Sequence, residues 1–238
     1  MEGSTRFRNR IKVFNEFIFL KTLIFLSLSA IFCLALSPAA LTALISLQVV
    51  LMNLFVTKQI TLFGLHATSS DALGIGAVLG INLLREYCGA KQAGKAVLIS
   101  FISVTFYTII SWLQLKYVPA LADTQQPHLV ALLAPMPRIL AASLFSYIIV
   151  QSLEYWLYDR LQKKFHGAYF ILRNYGVVLF TQLIDTILFT LLGLSGIVDD
   201  MSQIIIVSYG IKAVTIFSMT PMLAACKKIL DWTGYAPL

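Results

Sequence analysis

The chain has 238 residues, of which 58% are hydrophobic and only 12% are charged. Soluble domains average about 45–50% apolar and about 25% charged residues. A mean hydropathy of +0.82 also exceeds what a water-soluble body of this length can bury. The composition therefore excludes an ordinary soluble domain and predicts a chain that folds in a lipid bilayer.

Seven apolar stretches follow one another along the chain. A helix needs about 20 apolar residues to cross about 30 Å of hydrocarbon. Two stretches, 96–115 and 139–153, contain no charged residue, whereas 68–84 is the weakest candidate because it is rich in glycine and flanked by charges. In chain order the stretches are 17–37, 41–62, 68–84, 96–115, 139–153, 175–198 and 202–226.

These stretches predict an all-α fold, a polytopic transmembrane helical bundle with six core helices and an additional N-terminal hydrophobic helix. We divide the chain into a basic tail (1–16), a single transmembrane domain (17–228) and a C-terminal tail (229–238). A secretory signal peptide is the less favoured interpretation of 17–37, because that run is too long for an h-region and lacks a small-residue cleavage site. No segment is large enough to house an ATPase motor.

The net charge of +7 reflects membrane topology. Most Lys and Arg residues cluster beside the apolar stretches, which is the positive-inside pattern and not the footprint of a nucleic acid. We expect the lipid bilayer as a partner, no nucleic acid, and a multi-pass protein of the inner (cytoplasmic) membrane. The clusters are Arg6, Arg8, Arg10 and Lys12; Arg85, Lys91 and Lys95; Arg160, Lys163, Lys164 and Arg173; and Lys227 with Lys228.

The positive-inside rule places 85–95, 159–173 and the C-terminal end in the cytoplasm, and 117–128 and 199–200 outside. Seven crossings would then put the N-terminal basic cluster outside, against the same rule. Three interpretations stay open at this stage. The stretch 17–37 lies in the interface, or 68–84 is re-entrant, or the rule is violated once.

Cysteine and histidine residues give no sign of a metal or cofactor site. The cysteines are far apart without a CxxC motif, and the histidines fall in predicted loops without ligand spacing. Free cysteines of this kind are usually small buried side chains. We expect no cofactor and no metal at Cys33, Cys88, Cys226, His66, His128 or His166.

Polar residues inside the apolar stretches are the informative minority, because a charge at bilayer depth costs about 2.5–3.5 kcal/mol. Three stretches each place an amide and a carboxylate three or four residues apart, on one helix face. Such pairs offer both donors and acceptors, as needed to bind the edge of a heterocyclic base. The polar set is Asn53, Asn82, Glu86, Arg138, Gln151, Glu154, Gln182, Asp185 and Lys212.

A purely structural interpretation of these residues is equally open. Polar side chains also hold transmembrane helices together through interhelical hydrogen bonds. In that case Asp185 would pair with Lys212 across the last two stretches, and Glu154 would lie near the interface. The interpretation is strongest for Glu154 and weakest for Asp185, which lies in the middle of its stretch.

Other motifs have simpler explanations. The run Gly74-Ile-Gly76-Ala-Val-Leu-Gly80 lacks the preceding strand of a phosphate loop, and its spacing is typical of close helix packing. Pro135, Pro137 and Pro221 lie near segment ends or interrupt helices, and broken helices occur at transport sites. No nucleophile with a neighbouring base is visible.

Several strings together resemble the queuosine precursor transporter family, in the family's order and over about residues 45–225. The most specific are Gln182-Leu-Ile-Asp185-Thr186 and the pair Pro137-Arg138. The others are Asn53-Leu-Phe-Val-Thr-Lys58 with Leu62-Phe-Gly-Leu65, Arg85-Glu86 with Gly89-Ala-Lys91, Ile139 with Ala142-Ser143, Arg173-Asn174, and the Lys212 segment leading to Pro221.

The resemblance implies uptake of a 7-deazaguanine, namely 7-cyano-7-deazaguanine, its aminomethyl relative or queuine. Two positions depart from the family pattern, since Asn82 and Glu154 stand where the family usually has Asp. The helix 17–37 resembles an addition found in some members only. Carried over by position, the family's polar set falls on Glu86, Arg138, Arg173, Asn174, Gln182, Asp185 and Lys212.

The leading hypothesis is a carrier that imports a queuosine precursor without catalysis, in which Arg138 and Lys212 balance carboxylates. One alternative is a substrate-binding membrane subunit of a multi-component, vitamin-type uptake system, and an intramembrane enzyme is the less favoured one. Self-association stays open. The expected substrate-binding residues are Asn53, Asn82, Glu86, Arg138, Gln151, Gln182, Asp185 and Lys212.

Overall fold

The protein is a bundle of long helices interrupted by one small β-hairpin. A computed structural model describes residues 2–164 and 170–232, with side chains described for 14–154, 156–157, 160–161, 163–164 and 175–218. The elements are α1 (Glu2–Leu36), α2 (Pro38–Phe55), β1 (Gln59–Leu62), β2 (Leu65–Thr68), α3 (Asp71–Cys88), α4 (Ala90–Gln114), α5 (Gln126–Leu133), α6 (Met136–Lys164), α7 (Phe170–Phe189) with a π-helical end (Thr190–Leu194), and α8 (Met201–Trp232).

The predicted helical membrane bundle is confirmed. Within the described residues, six helices are long and apolar enough to cross a membrane, so this is a multi-pass membrane protein. Helix α3, the seventh predicted crossing, is 18 residues long but falls outside that set. The six are Phe14–Leu36, Pro38–Phe55, Ala90–Gln114, Gln126–Glu154, Tyr175–Leu194 and Met201–Ser218.

Three predicted boundaries differ from the structure. The stretch 41–62 was predicted as one crossing, which is wrong beyond Phe55, because the chain there leaves the helix and enters β1. Residues 2–16, separated above as a tail, continue α1 as helix, and the tail 229–238 is described only as far as Trp232.

The local sequence explains where the first helices turn. Ser37 is extended, with φ −175°, and its hydroxyl accepts a hydrogen bond from the Ala40 amide at 3.0 Å. Pro38 follows at the first helical position, where its missing N–H is not needed. At the same end of the bundle α3 stops at Gly89, whose φ of 83° is a conformation that glycine adopts without strain.

The apolar pattern of the sequence did not predict the β-hairpin. Its strands pair antiparallel, with Leu62 opposite Leu65. The two residues between them, Phe63 and Gly64, have φ values of 51° and 84°, as a tight two-residue hairpin turn requires. Composition alone predicts helix for a Phe-Gly dipeptide inside an apolar run, and it therefore did not predict this turn.

Side chains from α1 and α8 complete the hydrogen bonding of the hairpin. The Asn15 side chain donates to the Thr61 carbonyl at 3.0 Å, and the Phe63 amide donates to Glu16 Oε1 at 2.7 Å. On the other strand the His66 amide donates to Gln203 Oε1 at 2.9 Å. Open strand edges are not tolerated in lipid, so these contacts fix the hairpin between α1 and α8.

The bundle has two distinguishable ends. The hairpin end contains the hairpin, residues 115–135 and the 195–200 turn. The basic end contains the α1–α2 and α3–α4 connections, the last turn of α6 and the first turn of α7. At the basic end one apolar cluster joins the close of α1 and α3 to the start of α2 and α4, through Leu34, Leu41, Leu83, Leu84 and Ala93 among others.

Helices α1 and α3 therefore run from one end of the bundle to the other. The start of α1 contacts the hairpin, and its last turns join the cluster at the basic end. Of the three open interpretations, this geometry favours seven crossings with one violation of the positive-inside rule. The backbone of α1 then places residues 6–12, whose side chains lie outside the described set, at the hairpin end.

Close packing of α2 on α3 explains the glycine run. A Cβ atom added at Gly80 would lie 2.7 Å from Ile45 Cγ1, and one at Gly76 would lie 3.0 Å from both Gln48 Oε1 and Leu26 Cδ1. These distances leave no room for a methyl group. The prediction that the run is a helix-packing surface is confirmed.

We expect Gly80→Ala to destabilise the protein by about 1–3 kcal/mol, because the added methyl must displace Ile45 in a packed contact. Thermal unfolding of the purified protein in detergent measures the change. Gly94→Ala is the matched control, since nothing lies within 4 Å of a Cβ atom there and alanine favours helix. Equal effects of the two substitutions would contradict this account of the α2–α3 contact.

Seven crossings predict that the start of α1 and the hairpin end lie on the same side of the membrane. In a variant lacking Cys33, Cys88 and Cys226, single cysteines at Thr5, Ala90 and Thr124 can be labelled with an impermeant maleimide. Thr5→Cys should react from the same side as Thr124→Cys and from the opposite side to Ala90→Cys. Labelling of Thr5→Cys together with Ala90→Cys would rule out seven crossings.

Candidate functional site

An ion pair joins α7 and α8 in the middle of the membrane. The Lys212 ammonium lies 2.6 Å from Asp185 Oδ2. Each residue lies about 15 Å from one end of its membrane-spanning segment, at a rise of about 1.5 Å per residue. The pairing of these two residues across the last two stretches, which the structural interpretation predicted, is confirmed.

The pair is not sealed inside the protein. The side chains of Lys212 and Asp185 are 34% and 27% exposed. Charges facing hydrocarbon are expensive, and ionisable groups at this depth normally face the bundle interior or a water-filled cavity. The accessible part of the pair is therefore a surface for water or a polar ligand.

A second carboxylate belongs to the same polar group. The Ser208 hydroxyl lies 3.2 and 3.1 Å from the two carboxylate oxygens of Asp71, at the start of α3. Ser208 and Lys212 are one turn apart on the same face of α8, and the charge of Lys212 also acts on Asp71. The ammonium of Lys212 thus contacts one carboxylate and acts electrostatically on a second, which belongs to a different helix.

Sequence reasoning missed Asp71 and Ser208. Asp71 is one of the charges that flank the weakest stretch, and a single hydroxyl such as Ser208 gives no pattern. The available signal was the run Thr68-Ser-Ser-Asp71, which is typical of a helix start. The start of α3 lies inside the bundle because the hairpin that precedes it returns the chain to the bundle.

Gln182 extends the site along α7. It is half-buried and lies three residues from Asp185, which places both on one helix face. Farther toward the basic end, the rings of Tyr175 and Phe217 stack at a centroid distance of 5.5 Å and an interplanar angle of 15°. This aromatic contact between α7 and α8 was not predicted.

Two other predicted residues make their described hydrogen bonds outside this group. The Asn53 side chain is buried and donates to the Val49 carbonyl of its own helix at 2.9 Å. Arg138 was expected to balance a carboxylate, but its Nε donates to the Leu192 carbonyl in the π-helical end of α7 at 2.8 Å. Gln151 is exposed on α6.

Asn82 and Glu86 lie toward the basic end of α3. Because α3 and α8 start at the hairpin end and Asp71 contacts Ser208, helix rise places Glu86 about 16 Å farther along the bundle than Lys212. Asn82 is half-buried and Glu86 is exposed. The structure brings Gln182, Asp185 and Lys212 together and distributes the other predicted residues over both halves of the bundle. Arg173 and Asn174 lie outside the described side chains.

A buried amide was also missed. Gln48 is 2% exposed, and within the described residues neither its Nε2 nor its Oε1 has a hydrogen-bond partner. It lies against Gly76 in the α2–α3 contact. No group of three or more His, Cys, Asp or Glu residues in the described part is placed to hold a metal ion.

Comparison with known proteins agrees with this architecture. The family model described as a putative vitamin uptake transporter matches residues 74–226. A protein of Bacillus subtilis (strain 168) described as a probable queuosine precursor transporter is 32% identical over 190 residues, which cover 78% of this chain and 82% of that protein. No solved structure matches the chain.

The Lys212–Asp185 pair can be tested by removing one charge or both. Asp185→Asn and Lys212→Met should each destabilise the protein by about 1–3 kcal/mol, because each leaves an uncompensated charge at bilayer depth that partial exposure only partly relieves. The double variant should be more stable than the less stable single variant. Thermal unfolding in detergent provides the comparison.

Asp123→Asn is the matched control, since Asp123 lies in an exposed loop and should change stability little. Additive losses in the double variant would contradict a direct pair between Asp185 and Lys212.

Proposed function

The chain belongs to the family of putative vitamin uptake transporters, and we propose that it imports a queuosine precursor, a 7-deazaguanine base, across the cytoplasmic membrane. Membership makes it a transporter. The name of the Bacillus subtilis relative supports the substrate class, and so does the chemistry of the α7–α8 site.

The observation that carries the proposal is the partly exposed Lys212–Asp185 pair at mid-depth. A guanine edge has N–H donors beside a carbonyl acceptor. The carboxylate of Asp185 can accept from adjacent N–H groups, and the ammonium of Lys212 can donate to the carbonyl. Within the described residues Lys212 contacts Oδ2 of Asp185, which leaves Oδ1 for a ligand.

Gln182 adds an amide one helical turn from Asp185. A side-chain amide both donates and accepts, so it can bind a ring nitrogen or an exocyclic group of the same base. A neutral heterocycle suits the site, because a paired ammonium and carboxylate together carry no net charge. We assign Gln182, Asp185 and Lys212 to base recognition.

The other predicted residues suit a polar path on either side of this site. A carrier exposes its central site first to one side of the membrane and then to the other, so a substrate passes both halves of the bundle. Polar groups at membrane depth commonly mark such pathways. The residues assigned to the path are Asn53, Asn82, Glu86, Arg138 and Gln151.

Uptake of labelled queuine or 7-cyano-7-deazaguanine by cells that lack their own route tests the function. We expect Asp185→Ala to lower the initial rate about five- to 150-fold, because a lost hydrogen-bonded contact to a base is worth about 1–3 kcal/mol. Asp123→Asn is the control with an unchanged rate. Undiminished uptake by Asp185→Ala would remove Asp185 from the site.

Reconstitution separates a self-sufficient carrier from a substrate-binding subunit of a larger uptake system. The purified protein in liposomes should exchange internal unlabelled base for external labelled base. Substrate binding without exchange, restored only by cell membranes, would favour the multi-component alternative.

A further inference from the structure

The Asp71–Lys212–Asp185 group does not balance its charge. With all three residues ionised, two carboxylates face one ammonium. Lys212 makes its 2.6 Å contact with Asp185, whereas the described contacts of Asp71 are hydrogen bonds with the hydroxyl of Ser208 and with Thr68. The unpaired negative charge is the one on Asp71.

Within the described residues, Lys212 is the cation whose charge acts on Asp71. Lys58 also lies nearby, where its backbone carbonyl accepts a hydrogen bond from the Ser69 amide at 2.9 Å. Helix α2 has no ionisable side chain. The lysines of α4, Lys91 and Lys95, lie in its first two turns, at the basic end of the bundle. On α1, Glu16 accepts from the Phe63 amide and Lys21 lies over the Phe17 ring at 4.4 Å. The ionisable residue of β2 is His66. On α8 it is Lys212, whose positive charge acts on Asp71.

We propose that Asp71 binds one proton from the outer solution and releases it inside together with the substrate, so that uptake is proton-coupled. The step is a simple acid–base reaction, in which the carboxylate accepts the proton on entry and loses it on release. The proposal rests on the proposed import of a deazaguanine. It adds the coupling ion and the residue that holds it.

Lys212 connects the proton to the substrate. An ionised Asp71 competes with Asp185 for the ammonium, because Lys212 lies one turn from the serine that contacts Asp71. A protonated Asp71 leaves Lys212 with Asp185 as an electrically neutral pair, which is the form assigned above to base recognition. Protonation then raises substrate affinity, and by linkage the substrate raises proton affinity.

A proton fits the local contacts better than a metal cation. The Ser208 hydroxyl lies within hydrogen-bonding distance of both carboxylate oxygens of Asp71, and the hydroxyls of Thr68 and Ser70 lie 2.9 Å from each other. These hydroxyls are engaged in hydrogen bonds, and Asp71 is the one carboxylate among them, so the described group offers a proton acceptor but few of the anionic ligands that a metal cation prefers.

The purified full chain in liposomes can be tested with labelled 7-cyano-7-deazaguanine at zero membrane potential. With the outside one pH unit more acidic than the inside, one proton per substrate supports an accumulation of up to about tenfold. Asp71→Asn should keep gradient-free exchange but show an accumulation ratio near one. Asp123→Asn, in the exposed loop, should keep both activities.

Proton movement in the wild-type protein gives an independent measurement. Substrate entering down its own gradient should acidify the vesicle interior by about one proton per molecule, read by a trapped pH dye. This measurement applies even where Asp71→Asn does not fold.

The outcomes separate the coupling from the function. Exchange by the wild-type protein without accumulation in a pH gradient, accumulation driven by sodium instead, or full accumulation by Asp71→Asn would each overturn the proton site while leaving import intact. Absence of exchange with each of the three deazaguanines would overturn the proposed function and this inference with it.

Discussion

Hydrocarbon offers no hydrogen bonds, so a polar group placed inside this bundle depends on the protein for its partner. The hairpin and the charged group are two consequences of that constraint. The hairpin can exist inside a helical membrane protein because Asn15, Glu16 and Gln203 provide hydrogen-bond partners for its backbone at Thr61, Phe63 and His66. Lys212 and Asp185 can lie at mid-depth because each neutralises the other. Both solutions use α8, which makes that helix the common support of the fold and the site.

The two halves of the bundle meet through apolar clusters and also through a polar contact. Helices α1 to α4 are joined by apolar side chains and by glycines that allow α2 and α3 to approach closely. Where α3 meets α8, Asp71 contacts Ser208 through polar atoms. A displacement between the halves would therefore break hydrogen bonds at Asp71, whereas the α7–α8 ion pair could move as a unit. The charge on Asp71 and the packing of α3 against α8 are therefore linked.

The sequence predicted the helices well and the site only in part. Charge-free apolar runs identify membrane helices because the bilayer imposes both length and composition. The hairpin escaped the same criterion, since its residues are as apolar as those of a helix and only the positive φ values of Phe63 and Gly64 distinguish it. The spacing of Gln182 and Asp185 was informative because helix periodicity places both on one face. Asp71 and Lys212 are far apart in sequence, and no periodicity relates them.

What the sequence determined by itself is the solvent, the number of apolar helices and the positions at which polar residues interrupt them, because these depend on composition and local period. The tertiary structure decided which of those residues meet. It placed Arg138 on the Leu192 carbonyl, Lys212 on Asp185 and Ser208 on Asp71. Such pairings depend on the relative rotation of helices from distant parts of the chain, and packing sets that rotation only when the whole bundle has formed.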